Sequence, residues 1–347
     1  MYSYKVPTFF AALNTSKGFV SYFKDIFAQC KDLYIVKGGP GTGKSRFMRS
    51  VSQAAQNIGY SVEEYLCSSD PGSLDGLLIK DIDVAIIDGT APHVYEPTLI
   101  SAKEHFVDLS AFLDCDLLKS HAQELQSLVF AKSVRYSNVY SYLSMIRTID
   151  DLICASLDRA YLLQKLKSSV QKHARMLKKG SNSSTRIKLG RAISCNGIKK
   201  LDISVGEARK RYVLRGYDII NLRYLDELYK LTKSIGANVE ISYDPIYPEY
   251  PDALYYPDVK VLFYCSDTIS ENEIPINTKR FVNDECLRPF KPEIRRLRKI
   301  RKSVFAQLEY DFKSISKLHA AIEEIYSLAM DFSAKEELTD RFIKSVL

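Results

Sequence analysis

Gly38-Gly39-Pro40-Gly41-Thr42-Gly43-Lys44-Ser45 reads G-x-x-x-x-G-K-[ST] without departure. Before it runs Leu33-Tyr34-Ile35-Val36-Lys37, an apolar, β-branched stretch with the composition of a buried strand. After it, residues 44–58 follow a helical period and stop at Gly59, a helix-ending glycine. Strand, glycine loop and helix in that order make a phosphate cradle. Glycines let backbone N–H groups converge on phosphate oxygens, and the helix start adds its positive dipole end. In that chemistry Lys44 reaches the β- and γ-phosphates, and the Ser45 hydroxyl ligates Mg²⁺.

A metal-holding carboxylate belongs at the end of a neighbouring apolar strand, and Val84-Ala85-Ile86-Ile87-Asp88 has that form. Asp88 is followed by Gly89 and not by glutamate, so the usual water-activating base is missing from that place. Two other residues are candidate acid/base groups. Asp70, in Cys67-Ser68-Ser69-Asp70-Pro71-Gly72, sits where loops at the carboxyl ends of strands face a ligand crevice, with Ser68 or Ser69 as phosphate contacts. An Asp-Pro turn explains Asp70 equally well. His93, just past Asp88, is either an acid/base or phosphate-sensing group or a structural loop histidine.

The chain repeats itself. Shifted by 177 residues, it matches at ten of 39 ungapped positions between 46 and 84. The matches include Arg46/Arg223, Ile58-Gly59/Ile235-Gly236, Glu63/Glu240, Asp75/Asp252 and Val84/Val261. At a shift of 173, residues 148–158 align with 321–331. Each copy reads strand (32–38 or 211–216), helix (44–58 or about 222–235), strand (61–67 or 238–243), a Pro/Asp-rich loop, and strand (83–88 or 258–263). Helical segments follow at about 116–178 and 291–331. The expected fold is therefore α/β, a P-loop-like parallel sheet with flanking helices, internally duplicated. The expected units are 1–178, a polar linker at 179–190, and 191–347. In copy two, Gly216-Tyr217-Asp218-Ile219 replaces the glycine loop and Cys265 stands where Asp88 would be. Lysine and carboxylate are lost together, which suits a copy kept as scaffold.

The order GGPGTGKS, CSSDPGSLDG, AIIDGTAPHVYEP resembles a family of tandem P-loop NTPases of Gram-positive bacteria, described as ATPases or nucleotide-kinase-like proteins. The resemblance covers nearly the whole chain, duplication included. It implies a nucleotide-binding fold and carries over Gly38 to Ser45 and Asp88. Members often keep a phosphate loop in both halves, whereas here the second is degenerate. The resemblance implies no substrate.

Composition bounds the rest. The 347 residues are 46% apolar and 26% charged, ordinary globular values. No apolar run approaches the ~18 residues of a membrane span, and the N-terminus lacks a signal-peptide pattern. Seven scattered cysteines without a C-x-x-C pair suggest a reduced, cytoplasmic chain with neither zinc knuckle nor disulfide frame. The net charge of +7 is uneven: residues 159–201 carry twelve Lys/Arg and no acid, and residues 288–302 carry eight Lys/Arg against Glu293. These stretches are solvated helix faces, nucleic-acid contacts, or a source of arginines for a bound nucleotide. The expectation is an ATP- or other NTP-binding, Mg²⁺-dependent ATPase or phosphotransferase. Its acceptor is an unidentified small molecule or macromolecule, and no membrane is involved. The alternative is a nucleotide-dependent regulatory or nucleic-acid-binding switch with little turnover.

Overall fold

The computed structural model describes residues 6–91, 95–178 and 183–347. The first half runs β1 (Thr8–Phe10), β2 (Ala12–Thr15), β3 (Gly18–Ser21), α1 (Phe23–Ile26), β4 (Asp32–Lys37), α2 (Lys44–Asn57), β5 (Val62–Leu66), β6 (Leu74–Ile79), β7 (Val84–Asp88), β8 (Glu104–Asp108), α3 (Cys115–Ser120), α4 (Ala122–Asp158) and α5 (Leu163–Ala174). The second runs β9 (Thr185–Ile187), β10 (Arg191–Ser194), β11 (Gly197–Lys200), β12 (Lys210–Arg215), α6 (Asp218–Ile235), β13 (Val239–Tyr243), β14 (Pro251–Tyr256), β15 (Val261–Cys265), β16 (Ile274–Asn277), α7 (Asp284–Leu287), α8 (Lys291–Leu328) and α9 (Phe332–Val346).

The fold is α/β with two six-stranded sheets and two helical regions, roughly duplicated. The sheets have the same strand order, β1-β5-β6-β7-β4-β8 and β9-β13-β14-β15-β12-β16. They are mixed and not parallel as the sequence suggested. Five strands of each run one way, and β6 or β14 runs against both its neighbours. The reason is connection length. Cys67 N donates to Ser73 O at 3.0 Å, closing a short hairpin after β5, and so short a link cannot cross to a parallel strand. The stretch expected as a Pro/Asp-rich loop thus contains Leu74–Ile79, a nearly fully buried strand. The 179–190 stretch contains β9, the edge strand of the second sheet.

The helices after each copy do not return to that copy's sheet. Helix α5 packs against α6 of the second half, and α9 packs against α2 of the first. Their attachments are reciprocal. Leu113 bridges Met330 and Tyr161 bridges Val282, two pairs related by one shift of 169 residues. The bonds Asp114 N to Ala329 O and Asn283 N to Ala160 O, both 2.8 Å, obey the same shift. The shift of 173 read from the sequence is therefore one helical turn out of register at this point. Helices repeat every 3.6 residues, so a slip of four still matches apolar to apolar.

Helices α4 and α8 pair along their length. Val139, Leu143, Ile146, Ile153 and Leu157 of α4 recur at steps of three, four and seven residues. Ile294, Leu297, Leu308, Ile315 and Ile322 of α8 fall on the same heptad-like pattern. This is the pattern of a coiled-coil seam. Polar pairs interrupt it: Arg135 Nη1 to Asp311 Oδ1 at 2.7 Å, Arg301 Nε to Asp150 at 2.8 and 3.0 Å, and Lys132 Nζ to His319 Nδ1 at 3.1 Å. Between the sheets, Lys188 Nζ lies 2.9 Å from Glu240 Oε1 and 3.4 Å from Glu63 Oε1, two glutamates equivalent by the repeat. Among the described residues no helix is long and apolar enough to cross a membrane.

Candidate functional site

The glycine loop joins β4 to α2, in the register the sequence predicts. Gly43 caps α2, and Lys44 is its first residue. Lys44 Nζ folds back to the loop, donating to the carbonyls of Gly38 at 3.0 Å and Gly39 at 2.9 Å. Thr42 is fully buried, and its hydroxyl donates to the Gly39 carbonyl at 2.8 Å. Pro40 stands half-buried at the turn of the loop.

Strand β7 lies beside β4 in parallel, so Asp88 comes opposite Val36 at the loop's base. The result is a Lys44 Nζ to Asp88 Oδ2 separation of 3.7 Å. Asp88 also accepts from Thr90 N at 2.8 Å and from the Thr90 hydroxyl. Burial raises its pKa from the ordinary carboxylate value, and the Lys44 ammonium opposes that rise. The Ser45 hydroxyl accepts from Leu74 N at 3.0 Å, which fixes the oxygen at the start of β6 and leaves it a second lone pair. The antiparallel β6–β7 register, one step beyond Gly76↔Ile87, brings Asp75 opposite Asp88. Asp75 is buried, and it raises the pKa of Asp88 further.

The sequence does not single out Asp75, because its stretch has the turn residues of a loop. The available signal was its identity with Asp252 across the repeat. Among the described residues no three His, Cys, Asp or Glu side chains gather as a metal site. A cation here would take Ser45 and Asp88 and complete its shell with ligand oxygens and water.

Asp70 closes its own turn, accepting from Gly72 N at 3.1 Å and the Ser73 hydroxyl at 3.4 Å. It also lies within charge reach of His319 and Glu323 on α8. Ser69 is held by Asn14 Nδ2 at 3.1 Å and by Cys195 N at 3.0 Å, both structural attachments. Among the described residues, the buried Ser68 hydroxyl has no hydrogen-bond partner. His93 lies outside the described residues.

The largest addition comes from the far end of the chain. A Cβ on Gly39 would come within 2.5 Å of the Tyr326 ring, and one on Gly41 would collide with the Glu323 carbonyl oxygen. Ser327 Oγ donates to the Gly41 carbonyl at 3.3 Å. Lys335 of α9 is fully buried beside Gly43, its ammonium 3.1 Å from Glu336 Oε1. The glycines therefore also admit the last turn of α8 and the first of α9. One turn back along α8, His319 Nε2 lies 3.6 Å from Glu323 Oε1, and its other ring nitrogen meets Lys132. Burial, with Lys132 and Lys44 nearby, pushes the His319 pKa down to about 4, so the ring is neutral at pH 7.

In copy two, six loop residues have become two: α6 starts at Asp218, straight after Gly216 and Tyr217. This is earlier than the helix start near 222 read from the sequence. With the loop shortened, the chain must turn helical at once. Cys265 lies at the strand position of Asp88, beside Leu214. A cavity of about 480 Å³ remains there, lined by Gly216 to Ile219, Asp150, Arg298 and Arg301 among others. Within the two basic stretches, Lys188, Arg191 and Arg301 are committed to internal carboxylates.

The chain matches no family model, no curated protein and no solved structure.

Proposed function

We propose that copy one binds a nucleoside triphosphate with Mg²⁺ and acts as an ATPase or small-molecule phosphotransferase, with copy two as scaffold. The observation that carries this reading is the triad of Lys44 at the first turn of α2, Ser45 beside it, and Asp88 3.7 Å from the Lys44 ammonium. Incoming phosphate would draw Lys44 off the Gly38 and Gly39 carbonyls and meet the N–H groups at the start of α2. Ser45 and Asp88 would hold Mg²⁺, which neutralises charge on the β- and γ-phosphates. The resemblance to tandem P-loop NTPases of Gram-positive bacteria agrees with it. Gly89 after Asp88 points to slow intrinsic hydrolysis, with Asp70 as a loop carboxylate that would orient an acceptor.

A second reading, a nucleotide-dependent switch, is favoured by one observation. The same helix, α8, touches the glycine loop at Glu323 to Ser327 and lines the copy-two cavity at Arg298 and Arg301. One experiment tests both: titration calorimetry with Mg-ATP and measurement of phosphate release, for wild type and Lys44→Ala. Binding lost in Lys44→Ala with turnover in wild type supports the enzyme. Binding without turnover supports the switch. Wild type that binds no nucleotide refutes both.

A further inference from the structure

The two ends of the α4–α8 pair offer a controlled comparison. Lys132–His319 and Arg301–Asp150 are the same contact, since a shift of 169 residues turns 132 into 301 and 150 into 319. Arg301 lines the cavity at Gly216 to Ile219, the two-residue strand-to-helix loop of copy two and the first residues of α6. By the pseudo-twofold, Lys132 faces the strand-to-helix loop of copy one, Gly38 to Ser45. The chain of contacts agrees: Gly41 packs on Glu323, His319 lies one turn back, and Lys132 bonds His319.

The difference between the ends lies in the partner. Arg301 is neutralised by Asp150, whose oxygens take its Nε at 2.8 and 3.0 Å. Lys132 has a histidine instead. Among the described residues it forms no ion pair, and its one hydrogen bond is to the His319 ring at 3.1 Å. Burial lowers the Lys132 pKa and the Glu323 carboxylate, acting through space, opposes that fall; with no carboxylate bonded to it, the ammonium stays open to an incoming anion. Where an aspartate holds the cation, the charge is cancelled, and this is the end where the glycine loop has also gone.

We propose that Lys132, positioned by His319, contacts the γ-phosphate of a nucleotide held on Gly38 to Ser45, and so distinguishes triphosphate from diphosphate. The proposal rests on the nucleotide reading of copy one. It adds a residue from a helix more than eighty positions away, with no motif of its own. His319 is a positioning residue: it fixes the Lys132 ammonium without neutralising it.

The test is calorimetry on the full chain with Mg²⁺ and either the non-hydrolysable β,γ-imido analogue of ATP or ADP. Wild type should prefer the triphosphate analogue by about tenfold or more, the scale of a hydrogen bond to a charged group. Lys132→Met keeps the aliphatic stem and should lose that preference while its ADP affinity stays within about twofold. His319→Asp recreates the copy-two pair and should lose the preference too, with Lys132 still present. That variant carries the test should Lys132→Met fail to fold. Preference retained in either folded variant overturns the proposal, as does a wild type that binds both nucleotides equally. A wild type that binds neither overturns instead the nucleotide reading beneath it.

Discussion

Phe342 is the residue through which the exchange of helices can be weighed. It lies five positions from the C-terminus, yet its ring sits edge-on to Tyr34 of β4 at 4.8 Å and to Phe47 of α2 at 5.0 Å. It is 8% exposed and belongs to the core cluster of the first half. Truncating a buried phenylalanine to alanine costs about 3–5 kcal/mol through lost transfer energy and the cavity left behind. The two edge-on ring contacts, each worth about 0.5–1.5 kcal/mol, fall within that range. The terminal turns of α9 can partly collapse into the space, so the lower end applies: Phe342→Ala should lose about 3 kcal/mol. The assay is urea unfolding at equilibrium, where the midpoint should fall and the slope should not change. Lys344→Ala, exposed on the same turn, should stay within about 0.5 kcal/mol. A loss below about 1 kcal/mol for Phe342→Ala would refute the reasoning. So would a two-step transition in which the first half unfolds at its wild-type midpoint.

Three further outcomes follow from particular contacts. His173 fills the place of Phe342 in the other half, with its ring 5.0 Å from Tyr212 and 6.0 Å from Tyr224, and burial lowers its pKa. The unfolded chain then takes a proton at higher pH than the folded chain does, so stability should be complete above about pH 6.5 and fall as pH drops below it. His173→Phe should flatten part of that fall in pH-dependent melting, leaving the parts due to His319 and to carboxylates with lowered pKa values such as Glu63 and Asp202. Asp311 is buried with Arg135 at 2.7 Å, so Arg135→Met should strand a buried charge and cost about 3–5 kcal/mol, read by denaturant unfolding. Gly41 has φ +77 and abuts the Glu323 carbonyl, so Gly41→Ala should strain the loop by roughly 1–2 kcal/mol. It should also speed amide exchange at residues 323–327, and unchanged exchange there would show that α8 does not rest on the loop.

What the sequence made legible was whatever depends on neighbours in the chain. The loop from Gly38 to Ser45, the strand ending at Asp88 and the stop at Gly59 follow local rules, and the structure has each element in place. The strand Leu74–Ile79 was hidden by Pro71-Gly72-Ser73 and Asp75-Gly76, turn residues that serve a hairpin here. With it went Asp75, which depends on cross-strand register. α6 starts earlier than its sequence pattern implies, because the shortened loop leaves no spacer to mark its start. Glu323 and Lys335 reach the loop, and Lys132 and His319 come within charge reach of Lys44, only through the seam of α4 and α8 and the attachment of α9. No local pattern encodes where a helix docks. A slip of one turn in matching the terminal segments was enough to conceal the pairing of Lys132–His319 with Arg301–Asp150.

The crossed attachment of α5 and α9 has the topology of two identical subunits that have traded arms, with a tether added between them. Each half carries the other's arm on the helix that follows its own strand-to-helix loop, α9 on α2 and α5 on α6, so the surfaces that receive the arms are under shared constraint. The chemistry of each loop is under no such constraint. One loop can therefore hold Lys44 and Asp88 and the other neither, while both keep the same frame, because each half needs the arm that the other delivers.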